Sequence, residues 1–597
     1  MRTCYPISPA PGWPGLLYLL LLLALGLAHP AAQAQKPATA PAGQQPQWWK
    51  EAVVYQIYPR SYQDSNGDGV GDLRGIMQHL DYLKSLGVTA IWLNPIYASP
   101  NADNGYDISD YQQINPEFGT MADFDALLKG MHERGLKLVM DLVVNHSSDE
   151  HAWFKQARSS RTSPYRDYYH WWPAEKGTPS KRWSFFDPND DAWKYDSLTN
   201  SYYLHYFARK QPDLNWENPK LRQEVYSMMR FWLDKGIDGF RMDVIPFISK
   251  DTSWPPIPAA YHGDYPHFYA NGPHVHDYLQ EMNREVLSKY PQAMSVAEGA
   301  GVTHDEARDF VDPARHELNM LYHFEGTGVK YVPQAAGPTY DLLEFKRVYT
   351  TWEKLLAERG WGTIYLGNHD QPRMLSKFGD DRPAFRESSS KLLTTFLLTM
   401  RDTPYTYGGD EIGMNNIKFT DVADYRDIEA LNRYAQAQRA GTDVAKVLET
   451  LRRTSRDNAR TPMQWTAGTS AGFTAATPWL KVNPNYATVN VAAEEKDPNS
   501  ILNYFRRTTA LRKAHKVLTY GAYQLLDEPN PHIYAYTRTL GAERVLVVLN
   551  FSSEPQRWTL PAGVAVAGAP WLTNYPSLST GPALALQPWQ AAVLPLR

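Results

Sequence analysis

Cysteine is almost missing from this chain. Of 597 residues only Cys4 carries a thiol. Arg2, the apolar run at 16–28 and the Ala32-Gln33-Ala34 pattern together read as a secretory signal over 1–34, with cleavage near Gln35. Cleavage would remove Cys4 and leave no disulfide, no cysteine metal site and no thiol catalysis. No cysteine ends the apolar run, so lipid attachment is not expected. The run is also too short for a comfortable membrane span, although a signal anchor is the alternative. The expectation is a secreted or periplasmic protein with no stable membrane association after cleavage. A basic excess is missing too: the net charge of -4 leaves nothing to neutralise phosphates and argues against a nucleic-acid partner. No glycine-rich nucleotide loop, zinc signature or internal repeat is present, so no organic cofactor is expected.

What the chain does have is the composition of a folded protein, 43% hydrophobic and 21% charged, at a length that calls for two or three units. Residues 35–47, rich in Pro, Ala and Gln, read as a disordered leader. The 19 Trp and 38 Tyr serve a core by default, and equally suit a cleft where rings stack on sugar faces. From residue 53 onward short apolar strands alternate with helical patterns, the signature of βα units around a parallel sheet. Eight strands are expected, at 53–58, 90–94, 136–144, 239–244, 294–297, 320–324, 363–367 and 403–407, which suits a closed (β/α)8 barrel of the TIM type. A helix at 123–134 carries Phe124, Leu127, Leu128 and Met131 on one stripe and stops at Gly135; a second, at 221–235, stops at Gly236. The barrel spans 48–146 and 217–520. The polar, aromatic crossover at 147–216 is too long for a loop and reads as an inserted subdomain. Period-two runs at 533–537, 544–550 and 591–596 point to an antiparallel β-sandwich domain at 521–597.

Residues 239–244 read GFRMDV. Strand side chains alternate, so Arg241 and Asp243 should share a face. A guanidinium beside a carboxylate keeps it ionised and lowers its pKa, which is what a covalent nucleophile needs. A structural ion pair is the plainer alternative. Chemistry in such barrels sits at the C-terminal strand ends. The third strand ends Asp141 to Asn145-His146, the fifth ends at Glu298, and the seventh ends Asn368-His369-Asp370. Singly, Asp141 can hold a loop and His146 can be a core histidine. As a set, three carboxylates and two histidines arriving from different strands converge on one mouth.

The segments DLVVNH, GFRMDV, SVAEG and GNHDQPR resemble the four sequence regions of the alpha-amylase-type glycoside hydrolase family. Gln211-Pro-Asp-Leu-Asn215, Asp103-Asn-Gly-Tyr-Asp107, Asn458 to Trp465 (NARTPMQW) and Asn271 to Leu279 (NGPHVHDYL) are similar to the oligo-1,6-glucosidase and dextran-glucosidase branch. The resemblance runs from about Trp48 to the C-terminus. It implies that Asp243 attacks the anomeric carbon, that Glu298 is the acid/base, and that Asp370 binds sugar hydroxyls and stabilises the transition state. It further implies that His146 and His369 bind the glucose being cleaved and that Tyr106 stacks beneath it. Arg241 is then the electrostatic partner of Asp243. Asp103 and Arg460 match a pair that holds the non-reducing end, closing the pocket to single glucose units. Val244, directly after Asp243, resembles the α-1,6-preferring type.

Asp64, Asn66, Asp68, Val70 and Asp72 space oxygen ligands two apart among glycines, which suits a hard cation, Ca²⁺. Gly75 at the twelfth position speaks against an EF-hand. The loop matches the branch's structural metal loop, and an Asx-rich turn without metal is the alternative. Ala297, Gly299 and Gly408 depart from residues common in relatives. The activity implied is retaining, exo-acting hydrolysis of α-1,6-glucosidic bonds in small oligosaccharides, by a monomer. An α-1,4-glucosidase, a trehalose synthase or a sucrose isomerase on the same scaffold is the rival. The Arg-rich loop associated with sucrose isomerases does not appear after Arg373, and QPDLN with Val244 fits a trehalose synthase less well.

Overall fold

The computed structural model describes residues 47–187, 189, 191–332, 339–578 and 581–597. The expected signal, and the expected leader up to residue 46, lie outside them. Among the described residues no helix is long and apolar enough to cross a membrane.

Eight parallel strands form the central sheet: β1 (Val54–Ile57), β2 (Ala90–Leu93), β3 (Lys137–Leu142), β4 (Gly239–Met242), β5 (Met294–Glu298), β6 (Met320–Tyr322), β7 (Thr363–Ile364) and β8 (Thr403–Tyr407). Their order is β6-β5-β4-β3-β2-β1-β8-β7, and a parallel bridge from Leu321 to Gly362 draws β6 to β7 and all but closes the barrel. Nearly every strand residue is buried, because helices cover one face and the barrel interior the other. All eight expected strands are present. Several stop one to three residues early, so Asp243, His146 and Asp370 stand on the loops just past them.

The helix at Met121–Glu133 starts two residues before the expected point. Thr120 caps it, exchanging hydrogen bonds with Asp123 in a capping box, and Phe124, Leu127, Leu128 and Met131 form the buried stripe. The helix Pro219–Lys235 opens on Asn218 with proline at its first turn and ends at Gly236, φ 104°, the left-handed stop that glycine takes without strain.

Between β3 and β4 the insertion holds a short helix, Ala152–Ala157, and a three-stranded antiparallel sheet in which Ser201–Leu204 lies between Trp171–Pro173 and Trp193–Asp196. After β8 the chain makes a helical excursion, Ile428–Arg439 and Val444–Thr454, that the periodicity did not single out. It returns through the one-turn helix Asp457–Arg460.

The C-terminal sheet runs Ala522–Leu526, Ile533–Leu540, Glu543–Asn550, Ala591–Pro595, Leu572–Thr573, antiparallel throughout, with Gln556–Thr559 and Ala583–Leu586 as a second small sheet. Leu546, Val548 and Leu594 face Trp558, Leu584 and Leu586. Tyr534, Val547 and Val593, on the other face, pack with Phe345 and Phe396 of the barrel helices. Alternation thus gives this sheet two apolar faces, one for each partner.

Candidate active site

Arg241 sits at the centre, fully buried at the end of β4. Its Nη1 donates to Asp141 Oδ1 at 2.6 Å and to Asp243 Oδ1 at 2.7 Å. Its Nη2 lies 2.7 Å from Glu298 Oε2, and Nε and Nη2 donate to the Tyr322 hydroxyl. The expected Arg241–Asp243 pair is therefore present, but one guanidinium serves three carboxylates. That overturns the expected electrostatics. Burial pushes the Asp243 carboxyl well above the ordinary range; Arg241 opposes this, while Glu298 and Asp141 add to it. One positive charge divided three ways cannot hold Asp243 low. Burial raises Asp141 as well. Asp141 takes further hydrogen bonds from Trp92 Nε1 and the Tyr106 hydroxyl, so this strand-end residue belongs to the site rather than to a loop anchor.

Val244 follows in the left-handed region, φ 33° and ψ 39°, a strained conformation for a β-branched residue. Its N–H donates to Glu298 Oε2 at 2.9 Å. Strand alternation ends at Met242, so it does not decide where the Val244 side chain points. That side chain belongs to an apolar cluster with Trp193, Leu204 and Phe247 that joins the insertion to the barrel mouth.

On the opposite side Asp370 accepts from Arg460 Nη2 at 2.7 Å and Arg456 Nη1 at 3.2 Å. Nε2 of His369 lies 3.0 Å from Asp370 Oδ2 without hydrogen-bond alignment. Burial alone would raise Asp370, but His369, Arg456 and Arg460 outweigh it and hold the carboxyl well below the ordinary range. Asp103 feels the charge of Arg460 but makes its ion pair with Arg456. It faces Arg456 Nη2 at 3.4 Å and Gln211 Nε2 at 3.2 Å, while Arg460 Nε donates to the His369 carbonyl. Arg456 precedes Arg460 by one helical turn, which puts both heads on one side, and it was missed because it lies outside the quoted NARTPMQW segment.

Tyr106 stacks on His369, ring centroids 5.2 Å apart at 4°, with Asn94 Nδ2 donating to its hydroxyl at 2.7 Å. Gln56 Nε2 lies 2.8 Å from His369 Nδ1. His146 Nε2 meets the Tyr106 carbonyl at 3.1 Å and Gln211 at 3.2 Å, and burial pulls its pKa down to about 3, so it acts as a neutral hydrogen-bonding group. Asp103, Tyr106, His146, Arg241, His369 and Asp370 are thus brought together with Asp243 and Glu298 at the barrel mouth. Asn94 and Gln56 carried no motif signal. A groove of about 840 Å³ adjoins this site, sharing Asp370 and Arg456 with it and walled by Tyr331, Gln371, Lys377 and Glu429. The whole arrangement sets a carboxyl raised by burial, Asp243, and one held low, Asp370, at one barrel mouth with the stacked rings of Tyr106 and His369.

The 64–72 loop lies apart. Asp64 accepts from the amides of Asn66, Gly67 and Gly69 and from Thr474. Burial pushes its carboxyl up, yet those donors outweigh it and hold it low. Asn66 Oδ1 accepts from Asp68 N, and Asp68 Oδ1 from Val70 N. Asp72 caps the next helix through Gly75 N. Gly69, φ 93°, has no room for a side chain, since a Cβ would meet the Thr477 carbonyl at 2.1 Å. Among the described residues no three His, Cys, Asp or Glu side chains gather as a metal cluster. The donors of this loop are all oxygens, amide and backbone included, which fits a hard cation; Asn66, Asp68 and Asp72 each keep a lone pair, while Asp64 already accepts four hydrogen bonds and would exchange one of them for the ion.

Comparison with known proteins adds to this geometry. Residues 56–521 match the model of the alpha-amylase catalytic domain, and residues 523–592 that of the maltogenic amylase C-terminal domain. An oligo-1,6-glucosidase of Parageobacillus thermoglucosidasius is 52% identical over 92% of this chain and 99% of its own. A trehalose-6-phosphate hydrolase of Bacillus subtilis is 46% identical over 87% and 93%. The crystal structure of the trehalulose synthase from Pseudomonas mesoacidophila MX-45 superposes with a TM-score of 0.89 at 44% identity, covering 92% of this chain and 99% of that one. With its eight-stranded barrel, its antiparallel C-terminal sheet and these matches, the chain belongs to the alpha-amylase family of glycoside hydrolases.

Proposed function

We propose that this protein is a retaining α-glucosidase that removes single glucose units from the non-reducing ends of α-1,6-linked isomalto-oligosaccharides. One observation carries the reading: Arg241 bridges Asp243 and Glu298. A shared guanidinium draws the two carboxyls toward each other, in keeping with the roughly 5–5.5 Å separation of retaining enzymes. Asp243 attacks the anomeric carbon while Glu298 protonates the leaving oxygen; Glu298 then takes a proton from the water that releases glucose. Asp370, held ionised by His369, Arg456 and Arg460, faces the positive charge that develops on the ring. Asp103 with Arg456 and Gln211 closes the pocket beyond the sugar, which supports exo action. Val244 and the oligo-1,6-glucosidase relatives support the α-1,6 preference.

Solved structures named trehalulose and isomaltulose synthases, at 44–45% identity, favour a second reading, in which sucrose is isomerised on the same carboxylates. Incubation with isomaltose, maltose, sucrose and trehalose separates the two. Glucose release fastest from isomaltose is expected; an isomeric disaccharide as the main product from sucrose would replace the glucosidase reading, and a strong preference for maltose would remove the α-1,6 assignment. Asp64, Asn66, Asp68, the Val70 carbonyl and Asp72 are proposed to hold a Ca²⁺ that stabilises the fold and supplies nothing to bond cleavage. Export through the 1–34 segment and a monomeric state complete the proposal.

A further inference from the structure

Lys250 is a buried cation that the reaction does not use. Its side chain is 1% exposed and its counter-ion, Asp213, is 0% exposed. Its Nζ donates to Asn145 Oδ1 at 2.9 Å and to the Phe247 carbonyl at 2.8 Å, and lies 3.4 Å from Asp213 Oδ2. Each contact belongs to a different part of the site. Asn145 stands three residues past the end of β3 and precedes His146. Phe247 closes the 3-10 turn that follows Val244, whose own N–H holds Glu298. Asp213 lies in the insertion, two residues past Gln211, which touches both Asp103 and His146. Asp213 is tied back to the insertion by Tyr206 N, and Tyr206 places its ring 5.0 Å from the ammonium. Burial lowers the Lys250 pKa and raises that of Asp213 to about 6.

A salt bridge this deep is a poor source of stability, because desolvation offsets the attraction; such groups are retained where they set register. An ammonium suits the task here, since it can donate in three directions at once.

We propose that Lys250 is a positioning residue, its ammonium fixing the Asp243–Val244 turn, the Asn145–His146 segment and the inserted subdomain in one register. The proposal rests on the glucosidase reading above and goes beyond it, in assigning part of the rate to a group that never meets the sugar. A merely structural ion pair and a positioning residue predict opposite orders for two variants. Asp213→Asn leaves both Lys250 hydrogen bonds in place, whereas Lys250→Met with Asp213→Asn gives a charge-neutral core without the donor. Positioning predicts kcat on isomaltose at least about tenfold lower for the double variant than for Asp213→Asn, roughly 1.4 kcal/mol in the barrier. It also predicts weaker binding of a glucose-shaped iminosugar to the double variant by calorimetry. A double variant with kcat and iminosugar affinity equal to or above those of Asp213→Asn would overturn it. If the double variant does not fold, Lys250→Gln, which keeps one amide donor, must show the same loss in kcat, and wild-type kcat in that variant overturns the proposal too. Should the wild type hydrolyse none of the four disaccharides, the glucosidase reading fails on its own, and iminosugar affinity still decides the role of Lys250.

Discussion

Arg241 carries one positive charge against Asp141, Asp243 and Glu298, and that imbalance governs chemistry at the residue scale. In the proposed mechanism Asp243 must be ionised to attack, yet its folded-state pKa is raised. The acid limb of kcat/KM is therefore expected above the ordinary carboxylate value of about 4. Asp141→Asn removes one of the charges that raise Asp243 and frees Arg241 for it, so the limb should move to lower pH; a limb that stays put or moves up would contradict this electrostatic account. The same shift bears on stability. A carboxyl with a raised folded pKa binds its proton more tightly folded than unfolded, so it lowers stability as pH climbs from its unfolded value through its folded one. Asp243→Asn should then lose at least about 10⁴-fold in turnover while melting at or above the wild-type temperature at neutral pH. The sequence displayed each of these carboxylates at a strand end. Their sharing of one guanidinium was not legible there, because it depends on how β3, β4 and β5 stand side by side.

At the scale of elements, the loop after β4 is the informative one. Left-handed backbone at Val244 costs on the order of 1–3 kcal/mol, and the buried side chain returns about 1.5–3 kcal/mol. Val244→Gly gives up both, so its melting temperature should change little, and the N–H to Glu298 survives. The side chain wedged between insertion and barrel does not survive. The ratio of kcat/KM on isomaltose to that on maltose is expected to fall about tenfold, within the range that one pocket contact supplies; an unchanged ratio would show that Val244 has no part in linkage choice. Helix ends were legible where a glycine stop is local, as at Gly135 and Gly236, whereas the start at Thr120 was not. The helical excursion at 428–454 was not legible, since its stripes are mostly half-buried, although Gly441 ends its first helix in the left-handed region. With it went Arg456, whose partners Asp103 and Asp370 come from residues far away along the chain.

For the molecule as a whole, the barrel and the C-terminal sheet are joined through shared apolar faces and through Arg538 of the C-terminal sheet, whose Nη1 donates to the Thr399 carbonyl of a barrel helix at 3.2 Å. The 64–72 loop also ties distant parts together, since Asp64 reaches Thr474 and Phe473. An ion that binds only the folded state at about 100 times its Kd adds about 2.7 kcal/mol. Treatment with a calcium chelator is therefore expected to lower the melting temperature by a few degrees, with recovery on adding Ca²⁺. A melting curve indifferent to both would show that the Asx turns alone hold the loop.

The sequence by itself determined the βα alternation, the strand count, the site of the insertion and the residues with catalytic chemistry. Those follow from short-range patterns: apolar runs of strand length, caps and stops, and polar groups confined to strand ends. Only the tertiary structure decided which groups share a charge and which arginine meets which carboxylate. It also decided that a valine adopts a left-handed turn and that a buried lysine links three segments. Such outcomes depend on burial and on neighbours brought together by the closing of the barrel, and a linear pattern carries neither.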